Sequence, residues 1–387
     1  MNNEKLNKII LSISEPAIKK IADLASNIPN CVRFDIGEPN FDTPMHLKQA
    51  AIKAIKEGFT KYTSTFGIPE LRGAIAKKES EKNNRILTRD NVIVTTGGVG
   101  GLFCVLKTIL NPDDEVLIPD PGWTPYNLLV RIAHGKPVWT KFVERDEINI
   151  DKLEENLTKK TKAIIVNSPS NPTGRVLKKN EMKKIADFAI EHDLFIISDE
   201  VYEKIIFDDS VHFSFGQISE DFNRLFLVNS FSKTYAMTGW RVGYVVVEEE
   251  FIQGMEKVNR ASTSCANSVA QRVALTALQE PQNCIEEMRK EYEERRDLIV
   301  NELKSIGLEF MKPMGTFYIF PNVNENSERF SAMLLKKQSV ATVPGVVFGP
   351  SGKNAIRISF GSCTKEQIIE GVKRIKKLLN HKKDIKV

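Results

Sequence analysis

From about Pro44 to Pro281 the chain alternates short apolar runs with amphipathic stretches, and that alternation leaves few folds open to it. Ala163-Ile164-Ile165-Val166 is followed by a helical stretch from Asn180 to His192, and then by a second apolar run at Phe195. Runs this short and this apolar are strands covered on both faces, and the intervening helices are the cover. An α/β fold is expected, with a mostly parallel sheet sandwiched by helices. A long charged helix from Ile285 to Ile306, with Glu286, Glu287, Arg289 and Lys290 on its wet side, should lead out of that layer. Strands and helices around Phe317-Tyr318-Ile319 and Ile356-Arg357-Ile358 should form a smaller α+β domain together with the N-terminal segment. The expected division is 1–48 for the N-terminal arm and the first part of the small domain, 49–285 for the large domain and 286–387 for the C-terminal small domain.

Within that frame the most telling residue is Lys233, in Ser230-Phe231-Ser232-Lys233, followed by Thr238-Gly239-Trp240-Arg241-Val242-Gly243. The apolar Leu225-Phe226-Leu227-Val228 precedes it, so Lys233 should project from a loop at the carboxyl end of a strand, where open α/β sheets bind ligands. Alone it would be one more surface charge. Its Ser, Phe, Gly and Trp neighbours make a poor solvated face and a good floor for a buried cofactor. A cation such as Arg241 and a closed pocket lower an amine's pKa enough for Schiff-base chemistry, and the same guanidinium can pair with a phosphate.

Leu194-Phe195-Ile196-Ile197-Ser198-Asp199-Glu200-Val201-Tyr202 is an apolar strand ending in an acid, with a phenol three residues on. An imine-forming lysine and an acid for a ring nitrogen are what pyridoxal 5'-phosphate requires, because it acts as an electron sink while its ring is protonated. An Asp at a strand end also suits a helix N-cap. Val92-Ile93-Val94-Thr95-Thr96-Gly97-Gly98-Val99-Gly100-Gly101, running into Leu102 to Leu110, spells strand, glycine turn and helix, a place for a phosphate. It is not the dinucleotide fingerprint: the third glycine position falls on Phe103, and no Walker lysine follows. Trp123, after Val116-Leu117-Ile118 and in Pro121-Gly122-Trp123, suits either core packing or stacking on a flat ring.

Taken in order, these segments resemble the class I, fold-type I aminotransferases, in particular the bacterial and archaeal aspartate aminotransferase-like subgroup. The resemblance covers nearly the whole chain: Gly37-Glu38-Pro39-Asn40-Phe41-Asp42-Thr43-Pro44, Tyr62-Thr63, Glu70-Leu71-Arg72, Asn167-Ser168-Pro169-Ser170-Asn171-Pro172-Thr173-Gly174, the Asp199 and Lys233 segments, Pro313-Met314-Gly315-Thr316-Phe317-Tyr318 and Arg357-Ile358-Ser359-Phe360. It implies a sheet of the seven-stranded type and ping-pong transfer of an amino group from an L-amino acid of aspartate, alanine or aromatic type to a 2-oxo acid such as 2-oxoglutarate. Lys233 would anchor the cofactor and move the alpha proton. Asp199 would keep the ring nitrogen protonated, Tyr202 and Asn171 would bond the ring oxygen, and Trp123 would stack on the ring. Ser230, Arg241 and the backbone of Gly97 and Gly98 would hold the phosphate, joined by Tyr62 from the other subunit of a homodimer. Arg357 would bind the substrate carboxylate in a pocket completed by Asn171, Trp123 and the backbone of Gly37.

Aspartate-preferring members often carry a lysine where this chain has Val99, and Gly122 replaces a tyrosine frequent in the family. The donor is therefore open. Two other readings share the motifs: a beta-eliminating carbon-sulfur lyase on the same cofactor, and a non-catalytic sensor, for which too little chain precedes Gly37 to supply a DNA-binding module. Composition agrees with an enzyme of small molecules. Lys plus Arg number 55 against 50 for Asp plus Glu, too even a balance for a nucleic-acid or membrane partner. The basic tail of Lys376-Lys377 and His381-Lys382-Lys383 suits a solvated helix end. Five cysteines without paired spacing point to the cytoplasm, and the five scattered histidines to no metal. There is neither a signal-peptide core nor an apolar run long enough to span a membrane.

Overall fold

A computed structural model of the chain describes residues 6–12, 17–144, 147–219 and 221–383. Seven strands form the main sheet: β1 (Val92–Thr95), β2 (Glu115–Pro119), β3 (Lys136–Thr140), β4 (Thr161–Asn167), β5 (Phe195–Asp199), β6 (Leu225–Ser230) and β7 (Gly243–Val246). Their spatial order is β1-β7-β6-β5-β4-β2-β3. Only β7 runs antiparallel to its neighbours, β1 and β6; the remaining pairs are parallel.

Side chains alternate across a strand, so each apolar run feeds two cores at once. Ile164, Val166, Ile196, Leu225 and Leu227 face one buried layer. Ala163, Ile165, Phe195, Ile197, Phe226 and Val228 face the other, where Leu102 and Val105 of helix Gly97–Ile109 pack. Continuous hydrophobicity along these strands is thus the signature of a sheet covered twice.

The register decides where the polar strand ends fall. Asn167 of β4 lies opposite Asp199 of β5, and Asp199 opposite Val228 of β6. Gly243 of β7 pairs with both Ser230 and Thr95. One edge of the sheet therefore gathers Asn167, Asp199, Ser230 and the turn after Thr95.

A third core unites distant parts of the chain. Val32 and Phe34 pack with Met288, Tyr292, Ile299 and Leu303 of helix Asn283–Ser305, and with Ile368, Val372 and Ile375 of helix Lys365–Lys383. Strands β8 (Tyr318–Ile319), β9 (Val343–Pro344) and β10 (Ile356–Ser359) form a small antiparallel sheet there, in the order β8-β10-β9. Val32–Arg33 pairs in parallel with Val340–Ala341.

Three expectations need adjustment. Lys233 sits in a one-turn helix, Phe231–Thr234, rather than a loop, because Ser230 caps that turn by accepting a hydrogen bond from the Ser232 amide at 2.9 Å. Arg289 is half-buried instead of wet, held between Glu286 and Glu293 and reaching the Ile206 carbonyl. The N-terminal arm is described only in part: helix Lys8–Ser12 lies beside helix Pro125–Ile132, whereas residues 1–5 and 13–16 are outside the described residues. The basic tail likewise ends in residues 384–387 and in the side chains of 381–383, which are outside them. Among the described residues, no helix is long and apolar enough to cross a membrane.

Candidate active site

A cleft of about 330 Å³ opens where the carboxyl edge of the main sheet meets the third core, and Lys233 lines it. Its Nζ donates to the Gly37 carbonyl at 2.8 Å and lies 5.6 Å from the centre of the Phe317 ring. Burial is the main force pushing its pKa down to about 8; the Glu38 carboxylate opposes this, while Arg357 and then Arg241 add to it. The Arg241 effect expected from sequence is present, but it ranks below burial and Arg357.

Asp199 ends β5 and is buried. Its Oδ2 accepts a hydrogen bond from Tyr126 Oη at 2.6 Å, and its Oδ1 a long one from the Val201 amide at 3.4 Å. No helix follows, so the Asp199 side chain is a turn acceptor and a wall of the cleft, not a helix cap. Burial raises its pKa to about 6 against the pull of the Tyr126 hydrogen bond. Tyr202 is buried beside it, with Oη 3.0 Å from Tyr318 Oη, which in turn donates to the Gly37 carbonyl at 3.2 Å.

The glycine turn opens helix Gly97–Ile109 at the end of β1. Gly97 has φ +70°, and a Cβ there would stand 2.7 Å from Arg241 Nη2. Only glycine allows the guanidinium to lie against that turn. Ser230, Arg241 and the first amides of a long helix thus share one corner, a donor set suited to a phosphate.

Arg357 lies on β10, facing away from the core that takes Ile356 and Ile358. It is buried, donates to the Asp35 carbonyl at 2.9 Å and to Asn171 Oδ1 at 3.3 Å, and stacks 4.6 Å from the Tyr318 ring. Asn171 is fixed in turn: its amide donates to Asn167 Oδ1, and Asn167 Nδ2 donates to the Asp199 carbonyl. Arg357, Asn171, Asn167 and Asp199 are thereby joined in one chain of hydrogen bonds.

The aminotransferase class I and II family matches across residues 29–375. The chain belongs to that family. Aspartate aminotransferase of Pyrococcus abyssi is 42% identical over 379 residues, covering 96% of this chain and 97% of that one. Aromatic-amino-acid aminotransferase 2 of Thermococcus litoralis is 40% identical over 380 residues, covering 96% and 97%. Among solved structures, aspartate aminotransferase from Thermus thermophilus with maleate superposes with a TM-score of 0.92 at 34% identity, covering 97% of this chain and all of that one. The protein is accordingly a pyridoxal-phosphate-dependent transaminase of fold type I.

In this aminotransferase Gly37, Gly98, Trp123, Asn171, Asp199, Tyr202, Ser230, Lys233, Arg241 and Arg357 all line the cleft. Gly97 stands just behind Arg241. Tyr62 does not reach the cleft of its own chain and is 88% exposed. Val99 lines the cleft, and Gly122 is enforced, since a Cβ there would meet the Pro119 carbonyl oxygen at 2.4 Å. Sequence reasoning gave no role to Tyr126, Tyr318, Glu38 or Asn167, although three of them lie in or beside quoted motifs.

Two other features of the aminotransferase lie apart from the cleft. A cavity of about 490 Å³, walled by Phe142, Leu177, Phe310 and Phe320, shares only Asn167 with it. Glu200, Glu203 and His212 come close enough together for a cation, and the cation is already there: Lys82 Nζ lies 3.1 Å from Glu200 and 2.8 Å from Glu203.

Proposed function

We propose that Lys233, Asp199 and Arg357 are the working groups of the transaminase, and that the observation carrying this is their meeting in one cleft with a glycine-lined anion corner. When bound, pyridoxal phosphate supplies a protonated ring that takes up the electrons released at the substrate's alpha carbon. Asp199 would accept a hydrogen bond from the protonated ring nitrogen, and Tyr202 would donate one to the ring oxygen. Trp123, in the cleft wall, would stack on the ring. Ser230, Arg241 and the amides of Gly97 and Gly98 would hold the phosphate. Arg357, fixed by Asp35 and Asn171, binds the substrate carboxylate and orients the alpha carbon. The Lys233 amine, with a pKa near 8, is poised to take the substrate's alpha proton on Nζ and to hold it for return.

Lys233, Arg241 and Arg357 are the lysine and arginine side chains lining the cleft among the described residues, and each already has a task. This chain's own lining leaves none for a second substrate carboxylate, and Val99 and Leu102 add apolar surface to it. The preferred donor is therefore an L-amino acid with an uncharged, aromatic or aliphatic side chain, and the acceptor a 2-oxo acid. Exposure of Tyr62, together with Met45, Ile52 and Ile55 on helix Met45–Lys56, supports a homodimer in which Tyr62 completes the partner's phosphate site. Two apolar cores drawn almost wholly from 49–285, and a third drawn mostly from 1–48 and 286–387 with Tyr202, Ile205, Phe207 and Ala236 packed into it, support division into a large domain of residues 49–285 and a small one built from the rest. Five free cysteines support a cytoplasmic location.

The test is spectroscopic: the holoenzyme is given one amino acid at a time while the visible cofactor band is followed. Conversion to the amino form of the cofactor, fastest with an aromatic or aliphatic donor, is the expected result. Release of pyruvate and ammonia without an acceptor would make the protein a lyase, and aspartate as the fastest donor would overturn the donor assignment.

A further inference from the structure

One side chain in the cleft wall touches two parts of the cofactor platform, and it is not among the motif residues. Tyr126 is fully buried; its hydroxyl donates to Asp199 Oδ2 at 2.6 Å, and its ring meets Trp123 edge to face with centroids 5.3 Å apart. Helix Pro125–Ile132 carries it, and Pro125 starts that helix two residues after Trp123. The position of the phenol is thus set by the same turn that sets the indole.

A carboxylate taken out of water drifts toward its neutral form unless donors hold it ionised. A neutral carboxyl would leave the protonated ring nitrogen without a counter-charge. The groups around Asp199 pull in opposite directions: Tyr126 and Lys233 favour the charge, Glu200 disfavours it, and the Val201 amide contributes a long bond of 3.4 Å. Tyr202, the remaining titratable neighbour, keeps its own proton. Tyr126 does so as well, because burial and Asp199 both hold its pKa far above the usual phenol range, so it is always a donor. By engaging Oδ2 it leaves Oδ1 for another partner.

We propose that Tyr126 is a positioning residue of the transaminase, which tethers Asp199 by one oxygen, keeps it ionised for the cofactor's ring nitrogen and braces Trp123 beneath the ring. This rests on the placement of Asp199 against that nitrogen in the function proposed above. Edge-to-face contact with Trp123 needs only the ring, whereas the tether needs the hydroxyl. The two parts are therefore separable.

The experiment measures the dissociation constant of pyridoxal phosphate from the full-length protein between pH 5 and 9, by loss of its visible band on dilution, for the wild type, Tyr126→Phe, Asp199→Asn and a variant with 4-aminophenylalanine in place of Tyr126. Tyr126→Phe is expected to weaken binding roughly tenfold, the effect of losing one charge-assisted hydrogen bond, and to raise the pH at which the cofactor is released. The aniline, a weaker donor of the same shape, is expected to restore part of both. Wild-type affinity and an unchanged pH profile in Tyr126→Phe would overturn the proposal. So would equal losses in the phenyl and aniline variants, which would leave Tyr126 a packing residue. If Tyr126→Phe does not fold, the aniline variant alone decides, by a release pH above that of the wild type or identical to it. An Asp199→Asn variant that holds the cofactor as tightly as the wild type would instead overturn the role of Asp199 itself.

Discussion

Lys233 Nζ donates to the carbonyl oxygen of Gly37 at 2.8 Å, a hydrogen bond that ties the carboxyl edge of the main sheet to the N-terminal segment. Partial burial and two guanidinium groups bring this amine to a pKa of about 8. An ordinary lysine titrates near 10.4, so at neutral pH the neutral, nucleophilic fraction of Lys233 is far larger. Covalent attachment of pyridoxal phosphate to the cofactor-free protein should accordingly rise with pH around a midpoint near 8. Borohydride trapping followed by peptide mass analysis should place the label on Lys233. Lys233→Ala should show no label and lose roughly a thousandfold or more in turnover; a midpoint near 10 would contradict the environment described.

Arg357 is held from three sides, by the Asp35 carbonyl, Asn171 Oδ1 and the face of Tyr318. A guanidinium fixed in this way presents a fork to a carboxylate, and lysine does not reproduce it. Both Arg357→Lys and Arg357→Gln should reduce kcat/KM by roughly thirtyfold to five-thousandfold, the span seen when one partner of a buried hydrogen-bonded charge pair is lost. Most of the loss should be in KM. Cofactor affinity should stay near the wild-type value, and a variant that released pyridoxal phosphate as readily as it lost substrate would place Arg357 elsewhere in the mechanism.

The residues legible in the sequence share a local signal. Asp199 ends an apolar strand, Gly97 and Lys233 follow one by two and three positions, and strand ends in a parallel sheet are where ligands meet backbone. Tyr126 and Tyr318 carry no such signal, because what they touch depends on strand register and on the meeting of distant segments: Tyr318 reaches Tyr202 across 116 positions. Tyr62 was identified only through family resemblance, since nothing in its own chain uses it. Charged helix Pro69–Asn83 was the least legible element. Its Glu79 is buried, and its Lys78 and Lys82 point into the protein, so the usual contrast of apolar and polar faces is missing.

Asp199 carries a cost that the cofactor-free protein should reveal. Its pKa stands at about 6 in the folded chain against an ordinary 3.8. A carboxyl with a raised folded pKa contributes stability below its unfolded pKa and loses that contribution as pH rises through the folded one. At pH 7.5 the ionised, buried Asp199 therefore destabilises the cofactor-free fold by on the order of 2–3 kcal/mol. Asp199→Asn should melt higher than the wild type at pH 7.5 without cofactor, and this advantage should shrink toward pH 4. Calorimetry that found the variant less stable at pH 7.5 would show that Asp199 is better solvated than its burial implies.

Beneath the Asp199 turn lies a network whose removal should be felt as stability before it is felt as chemistry. Glu203 accepts from Lys78 and, at 2.8 Å, from Lys82; Glu79 takes Lys82 at 2.7 Å and the Tyr244 hydroxyl at 2.7 Å. Glu200 adds Lys82 at 3.1 Å and the hydroxyls of Ser198 and Ser214 at 3.0 and 2.8 Å. Burial works against charge on Glu200 and Glu203, but Lys82 outweighs it for Glu200, helped by His212, and Lys78 with Lys82 for Glu203; both acids are held below their usual 4.5, Glu200 at about 2. An acid with a depressed folded pKa contributes stability above its unfolded pKa and loses it as pH falls through the folded one, so this contribution should fade between about 4.5 and 2. Glu203→Ala leaves Lys78 and Lys82 short of a counter-charge and should cost roughly 3–5 kcal/mol at pH 7. Urea unfolding of the cofactor-free wild type and variant at a series of pH values checks both statements. The gap between the two should be wide at pH 7 and narrow toward pH 3, and a small or pH-independent gap would mean that water, rather than Glu203, compensates the two lysines.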